Sequence, residues 1–257
     1  MSKPRTDILL LASPSDTTSI VFNHLARRFG IFYTIMEAPN SKTTIIKTRL
    51  RKLGVLNVLS QLAFLTTIRP ILQWRSLHII EQHCRTLRLD RRAIPREAIV
   101  NIPSVNHEAC RQALQRLRPR VIVVNGTRII GANTLGSTEA QFINIHAGIT
   151  PQYRGSNGAY WALHRNDPER CGVTVHLVDE GIDTGDILAQ ALISPSTGDS
   201  FVTYPYLQIA AALPLLEQVV AHALNGHVRG RQPEGNSQVW YHPGVIQYLT
   251  GRLRGVR

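Results

Sequence analysis

Cysteine is scarce in this sequence, and its N-terminus lacks a long apolar run. The three cysteines, Cys84, Cys110 and Cys171, lie far apart and form no CxxC pair, which argues against both a disulfide framework and a zinc cluster. The first apolar run, at residues 8–13, is too short for the core of a signal peptide. We therefore expect a cytoplasmic protein that is not exported.

Acidic residues are also few, 17 against 29 lysines and arginines, which leaves a net charge of +12. A charge of this size implies an anionic partner, such as a phosphorylated substrate, a polyglutamate tail, nucleic acid or a membrane surface. Much of the excess lies in residues 47–52, 85–92 and 251–257. A solvated basic face would explain these segments equally well, so the charge alone does not choose a function.

The sequence has no internal repeat and reads as an alternation of strands and helices. Four consecutive β-branched residues open the segment 121–126, as in a strand that is covered on both faces, which indicates a mostly parallel sheet. Asp16, Thr17 or Thr18 is expected to cap the first helix. The pattern predicts a doubly wound α/β domain. Its strands are predicted at 7–12, 31–37, 121–126, 141–146 and 172–178, and its helices from about 16 to 29, 106 to 117 and 204 to 224.

A basic, mostly helical insertion at about 41–89 does not fit a minimal α/β unit. Its segment 53–72 is apolar enough to raise the question of a transmembrane helix. Asn57, Gln61 and Arg69 would be costly at the centre of a bilayer. We expect a helix that packs on the domain and touches a membrane surface.

The segment INIHAGITPQYRG, residues 143–155, is the first candidate for chemistry. Side chains alternate along a strand, so Asn144 and His146 should share one face, and His146 ends its strand where open parallel sheets bind ligands. Pro151 opens a rigid turn that displays Tyr153 and Arg154 beside the pair. Without these neighbours, a hydrogen-bonded histidine with no function would be the simpler interpretation.

The segment VDEGIDTGDIL, residues 178–188, is the second candidate. Asp183 lies between two glycines in a predicted turn, and the spacing does not match a calcium loop, so no metal role is expected. An ordinary solvated turn is the alternative. An amide, an imidazole and a carboxylate suffice to add an amine to a carbonyl, because donors stabilise the oxyanion and the carboxylate orients the imidazole. Neither motif positions a serine or cysteine nucleophile, which favours direct transfer.

Together these motifs resemble the folate-dependent formyltransferase family. The resemblance covers residues 101–192 well, the first forty residues loosely and the insertion poorly. It implies a Rossmann-like catalytic domain at 1–228, followed by a basic C-terminal tail at 229–257. It also implies catalytic roles for Asn144, His146 and Asp183, with 10-formyltetrahydrofolate as the formyl donor.

The resemblance further implies which residues bind the two substrates. The folate is expected to be held largely by backbone in two segments, at Arg128, Ile129 and Ile130 and at Val178, Asp179, Gly181 and Ile182. The residues expected to bind the acceptor are Tyr153, Arg154 and Asn157.

The sequence departs from the family in three places. Gly148, Ile149 and Thr150 stand where the family commonly has a serine and two leucines, which changes the loop over the formyl group. The turn after the first strand lacks the glycine-rich phosphate loop of the purine-pathway members. Too few residues follow Leu224 for the second domain of the tRNA-specific members, so we expect no nucleic acid partner.

A small-molecule amine is therefore the expected acceptor. The segment YRGSNGAYWAL, residues 153–163, is most similar to sugar N-formyltransferases, which implies a phosphorylated, nucleotide- or carrier-linked amino sugar. Three alternatives stay open: a glycinamide ribonucleotide transformylase, a formyltetrahydrofolate hydrolase, and a non-catalytic folate- or membrane-binding relative. Peripheral membrane contact and a homodimer are left open as well.

Overall fold

A computed structural model of the chain describes residues 4–39, 49–51, 53–226 and 228–256. The first part of the predicted insertion, 41–48, lies outside the described residues, as does half of the basic segment 47–52.

The main sheet has seven strands in the order β3-β2-β1-β4-β5-β7-β8. The first five strands in this order pair in parallel, whereas β7 is antiparallel to both β5 and β8. The predicted mostly parallel, doubly wound sheet is confirmed. The strands are β1 (Arg5–Ala12), β2 (Phe32–Glu37), β3 (Ile99–Ile102), β4 (Val121–Asn125), β5 (Gln141–His146), β6 (Arg154–Gly155), β7 (Gly172–Leu177), β8 (Ile187–Leu192) and β9 (Val239–Trp240).

Helices cover both faces of this sheet. The long helix α8 (Tyr204–Leu224) has the predicted bounds, whereas α1 (Asp16–Phe29) is capped by Ser15 rather than by Asp16, Thr17 or Thr18. The Ser15 residue is extended and its hydroxyl accepts the Thr18 N–H at 3.1 Å. The helices are α1 (Asp16–Phe29), α2 (Val55–Ala63), α3 (Arg69–Arg75), α4 (Leu77–Thr86), α5 (Glu108–Leu117), α6 (Ala132–Leu135), α7 (Gly158–His164), α8 (Tyr204–Leu224) and α9 (Val245–Leu253).

The core lies on both sides of the central strands, because their side chains alternate. Leu10 and Val123 face α1 and α8, where Leu216 is fully buried. Leu9 and Ile122 pack on the other side of the sheet against α5. Every residue of β4 is buried, as expected for a strand covered on both faces. This core fixes the strand ends that carry the candidate site.

The insertion is helical, as predicted, and it lies on the domain. A π-helical turn at Phe64–Ile68 joins α2 to α3. Phe64 is fully buried and its ring centroid lies 5.1 Å from that of Phe201 and 5.2 Å from that of Tyr248. By length and composition alone, Val55–Arg75 and Tyr204–Leu224 could each cross a membrane. The second of these is the core helix α8.

The segment predicted as a C-terminal tail is folded onto the domain. Strand β9 pairs in parallel with β6, which follows the Asn-x-His motif. Helix α9 packs on α2, and the Val245 N–H donates to Ser60 Oγ at 2.9 Å. The C-terminal segment therefore helps to form the wall beside the candidate site.

Candidate active site

A cavity of about 760 Å³ opens at the carboxyl ends of β4 and β5. Asn144 and His146 both line it from β5, as the two-residue period of a strand requires. Asp183 lines it from the loop between β7 and β8. The structure thus brings together the three residues that the sequence predicted as catalytic.

Asp183 contacts both of its predicted partners. Its Oδ2 lies 3.2 Å from His146 Nδ1 and accepts the Gly155 N–H at 2.9 Å, while Asn144 Nδ2 donates to Oδ1 at 3.4 Å. The loop has little freedom next to this contact, because a Cβ at Gly185 would lie 1.9 Å from the Leu177 carbonyl oxygen. The carboxylate is therefore held where it can orient the imidazole.

His176 completes the cluster, and sequence reasoning missed it. It lies opposite Asn144 in the antiparallel pair of β5 and β7, and its Nε2 is 3.0 Å from Asn144 Nδ2 and 3.6 Å from Asp183 Oδ1. Its Nδ1 donates to the Leu177 carbonyl at 2.6 Å, so in the neutral ring Nε2 is free to accept the Asn144 amide. His176 thereby orients the Asn144 side chain.

The His146–Asp183 pair is buried, and the surroundings of each group favour its charged form. Burial lowers the pKa of His146, but the charge and hydrogen bond of Asp183 outweigh it and raise the pKa above its ordinary 6.5. Burial likewise raises the pKa of Asp183, yet the charge and hydrogen bond of His146, together with the Gly155 N–H, hold it far below 3.8. Both ring nitrogens of His146 face acceptor oxygens, of Asp183 and Tyr153, which likewise favours an imidazolium beside a carboxylate.

His146 and Asn144 carry the donors that were predicted to stabilise an oxyanion. In the free protein, both donors already contact acceptor atoms of the protein itself. The second imidazole nitrogen of His146, Nε2, lies 2.7 Å from the Tyr153 carbonyl oxygen. The Asn144 amide faces His176 at 3.0 Å and Asp183 at 3.4 Å. The Asn144–Asp183 contact is the longest of these, and long catalytic hydrogen bonds in a free enzyme commonly rearrange when substrate binds.

All seven residues predicted to hold the folate line the cavity: Arg128, Ile129, Ile130, Val178, Asp179, Gly181 and Ile182. Glu37, which is 2% exposed, fixes the first segment because its carboxylate accepts the Arg128 N–H at 2.8 Å and the Val105 N–H at 3.2 Å. In the second segment, Asp179 Oδ1 accepts the Gly181 N–H at 3.0 Å. Both segments are thus held by carboxylates of the protein.

The residues predicted to bind the acceptor do not line the cavity. Tyr153 is buried against Trp240, with ring centroids 5.8 Å apart, and its hydroxyl donates to Asp167. Arg154 Nη1 donates to the Ile182 carbonyl at 2.8 Å, and Asn157 Nδ2 lies 2.8 Å from His242 Nδ1. Their role in acceptor binding stays a prediction. The walls nearest to them are formed instead by Arg49, Ser156, Val239, Trp240 and Tyr241.

The ion pair predicts a defined pH dependence of stability. Because the pKa of His146 is raised in the folded protein, its contribution to the free energy of unfolding is full below pH 6.5. That contribution is lost as pH rises through the pKa of the folded state. Because the pKa of Asp183 is lowered in the folded protein, its contribution to the free energy of unfolding is full above pH 3.8 and is lost as pH falls. Urea unfolding should show the largest difference between the wild type and Asp183→Asn between these two values. A difference that grows toward alkaline pH would contradict the assignment.

No group of three or more histidine, cysteine, aspartate or glutamate side chains within the described ranges is arranged to hold a metal ion.

The sequence is similar to those of known formyltransferases. Residues 88–204 match the family model described as "Formyl transferase". A methionyl-tRNA formyltransferase from Syntrophus aciditrophicus (strain SB) is 29% identical over 172 residues, which are 62% of this chain and 54% of that protein. The chain thus spans about half the length of the curated relatives it matches.

Solved structures share the fold. A sugar N-formyltransferase from Shewanella sp FDAARGOS_354 superposes with a TM-score of 0.60 at 15% identity, covering 98% of this chain and 88% of that one. The formyltransferase PseJ from Anoxybacillus kamchatkensis superposes with a TM-score of 0.51 at 15% identity, covering 91% and 85%. Its structure holds UDP-4,6-dideoxy-4-formamido-L-AltNAc and tetrahydrofolate.

Proposed function

We propose that this protein, whose residues 88–204 match the formyl transferase family model, transfers the formyl group of 10-formyltetrahydrofolate to a primary amine on a small molecule. The observation that carries the proposal is the cluster of Asn144, His146 and Asp183 in the wall of a cavity of about 760 Å³, a size typical of small-molecule sites. In this proposal the protein works in the cytoplasm.

The donor is assigned to the part of the cavity formed by the Arg128–Ile130 and Val178–Ile182 segments. Backbone N–H and C=O groups in these loops can pair with a pterin ring, which carries several donors and acceptors. The tetrahydrofolate bound by PseJ, which shares the fold, supports this choice. Glu37 and Asp179 contribute indirectly, because they fix the loop conformations.

In the proposed reaction, the neutral amine attacks the formyl carbon and the carbonyl electron pair moves onto oxygen. The positive charge of His146 and the Asn144 amide stabilise the oxyanion, with the amide exchanging its long contact to Asp183 for the new oxygen. Asp183 holds His146 protonated and helps to carry the proton that the amine loses. The oxyanion's electron pair then re-forms the carbonyl as the C–N10 bond breaks, and N10 of tetrahydrofolate accepts the proton that the amine lost.

We propose an amino sugar linked to a nucleotide or another phosphorylated carrier as the acceptor. Two proteins that share the fold support this choice, since one is a sugar N-formyltransferase and the other, PseJ, binds a formamido nucleotide sugar. On the acceptor side of the cavity, Arg49 supplies a cation that could meet a phosphate. A hydrolase would instead release tetrahydrofolate at the same rate with and without amine, so tetrahydrofolate release measured in both conditions separates the two activities.

The donor should bind before any acceptor is present, because both of its loops are already held. Isothermal titration calorimetry with a 10-formyl folate analogue should detect binding to the free protein. Glu37→Gln should weaken this binding severalfold with little change in kcat at saturating donor, because one charge-assisted hydrogen bond is lost. The exposed Glu97→Gln is the matched control. Absence of binding to the wild type would count against the proposed donor.

A further inference from the structure

Two neighbouring helical segments expose apolar side chains at helical spacing. Leu56 and Leu59 on α2 are three residues apart, as are Ile71 and Trp74 on α3, while Leu249 and Leu253 on α9 are four apart. Each of these six side chains is between 53% and 89% exposed. We call them the apolar face: Leu56, Leu59, Ile71, Trp74, Leu249 and Leu253.

The two segments form one surface because they pack tightly on each other. The Val245 N–H at the start of α9 donates to Ser60 Oγ on α2 at 2.9 Å. A Cβ at Gly244 would lie only 2.5 Å from the same Ser60 hydroxyl oxygen. Beneath this contact, Phe64 and Tyr248 are buried with their rings packed together. The apolar side chains are therefore presented by a single rigid support.

The two segments that present the apolar face carry charge of one sign. Residues 49–80 and 235–257 contain no aspartate or glutamate. Within the described residues, none of the five exposed arginines in these two segments forms a salt bridge: Arg51, Arg69, Arg75, Arg252 and Arg254. Elsewhere on the protein, arginines such as Arg27 and Arg170 are paired with carboxylates. An apolar patch surrounded by unpaired cations is complementary to an apolar layer covered by anions.

We infer that the apolar face docks on the surface of a bilayer that contains anionic lipids. The leucines and Trp74 would enter the boundary between headgroups and acyl chains, where tryptophan is favoured. The arginines can bury their methylene stems and keep their guanidinium groups at the lipid phosphates. A second copy of the chain is a poorer occupant, because it would bring two surfaces of the same positive charge together.

Docking would also place the active-site cavity near the membrane. Arg49 and Tyr241 line the cavity, and they lie a few residues before α2 and α9. The wall that they form therefore continues into the apolar face.

Sedimentation with vesicles tests the inference on the full-length protein. The protein should co-sediment with phosphatidylcholine vesicles containing phosphatidylglycerol, and binding should weaken as salt rises, since exposed charges are screened beyond about 10 Å at 0.1 M. Trp74 is by far the most exposed of the three tryptophans, so the quenching of tryptophan fluorescence by acrylamide reports mainly on this face. Anionic vesicles should therefore reduce that quenching. No sedimentation with anionic vesicles at low salt would overturn the inference.

Matched variants identify the surface that binds. Leu249→Ser with Leu253→Ser should reduce vesicle binding at least about tenfold, because it removes two apolar groups from the proposed contact. Leu192→Ser is the control, since Leu192 is similarly exposed but lies on β8. All variants should keep the thermal unfolding midpoint of the wild type. If the double variant bound vesicles as tightly as the wild type, the inference would be overturned. Shielding of Trp74 that depends on protein concentration rather than on lipid would also overturn it, because it would indicate a second copy of the chain on this face.

Discussion

Asp183→Asn is expected to lower kcat for formyl transfer by at least about a hundredfold, with little change in the affinity for the formyl donor. The substitution keeps the size of the side chain and removes the charge that favours the protonated form of His146. Steady-state kinetics for kcat and calorimetry for donor binding separate the two effects. Asp183 follows the second donor segment directly, but Glu37 and Asp179 rather than Asp183 hold the two segments, so binding should survive.

Asp186→Asn is the matched control for this substitution. Asp186 belongs to the same segment, and its carboxylate accepts a hydrogen bond from Gln232 rather than from a residue of the cluster. Asn144→Ala should reproduce the loss of kcat, because it removes the amide that faces His176 and Asp183. Near-normal turnover by Asp183→Asn or Asn144→Ala would refute the catalytic assignment.

Gly148→Ala is expected to produce the second large effect, a loss of kcat of about tenfold or more together with a lower thermal unfolding midpoint. A Cβ at this position would lie 2.3 Å from the Tyr153 carbonyl oxygen and 2.8 Å from His146 Nε2. These are the two atoms that form the 2.7 Å contact fixing the imidazole. Overpacking of this kind typically costs about 1–3 kcal/mol of stability.

Kinetics and thermal unfolding of the same preparation check this prediction. Gly198→Ala is the control, because a Cβ there would meet nothing closer than 3.6 Å. The family commonly has serine where this chain has Gly148, so the result also tests whether the loop is built differently here. A Gly148→Ala protein with wild-type kcat and stability would show that the loop accommodates a side chain.

Local sequence signals predicted much of the sheet and of the candidate active site. Asn144 and His146 were predictable because the two-residue period of a strand is set by the backbone. His176 was not, because its position depends on an antiparallel register with β5 that no local signal fixes. Tyr153 looked exposed in its turn, yet Trp240 of β9 stacks on it. Contacts between segments that are distant in sequence therefore determine the position of His176 and the burial of Tyr153, which local signals could not predict.

Glu37 illustrates the same limit on the donor side. In the sequence it is simply the last residue of a predicted strand, and acidic residues are rarely fully buried unless they are paired. In the fold it accepts hydrogen bonds from Arg128 and Val105, which lie far from it along the chain. Burial of a carboxylate can be recognised only once these backbone N–H donors are in place.

In the proposed function, the cluster of Asn144, His146 and Asp183 promotes the transfer of a formyl group from folate to an amine. Incubating a panel of amines, including nucleotide-linked amino sugars, with 10-formyltetrahydrofolate and analysing the products by mass spectrometry tests it most directly. We predict that one class of amine gains the mass of a single formyl group with the wild type, and hardly at all with Asp183→Asn. Release of tetrahydrofolate without a formylated amine, or equal product from both proteins, would contradict the account.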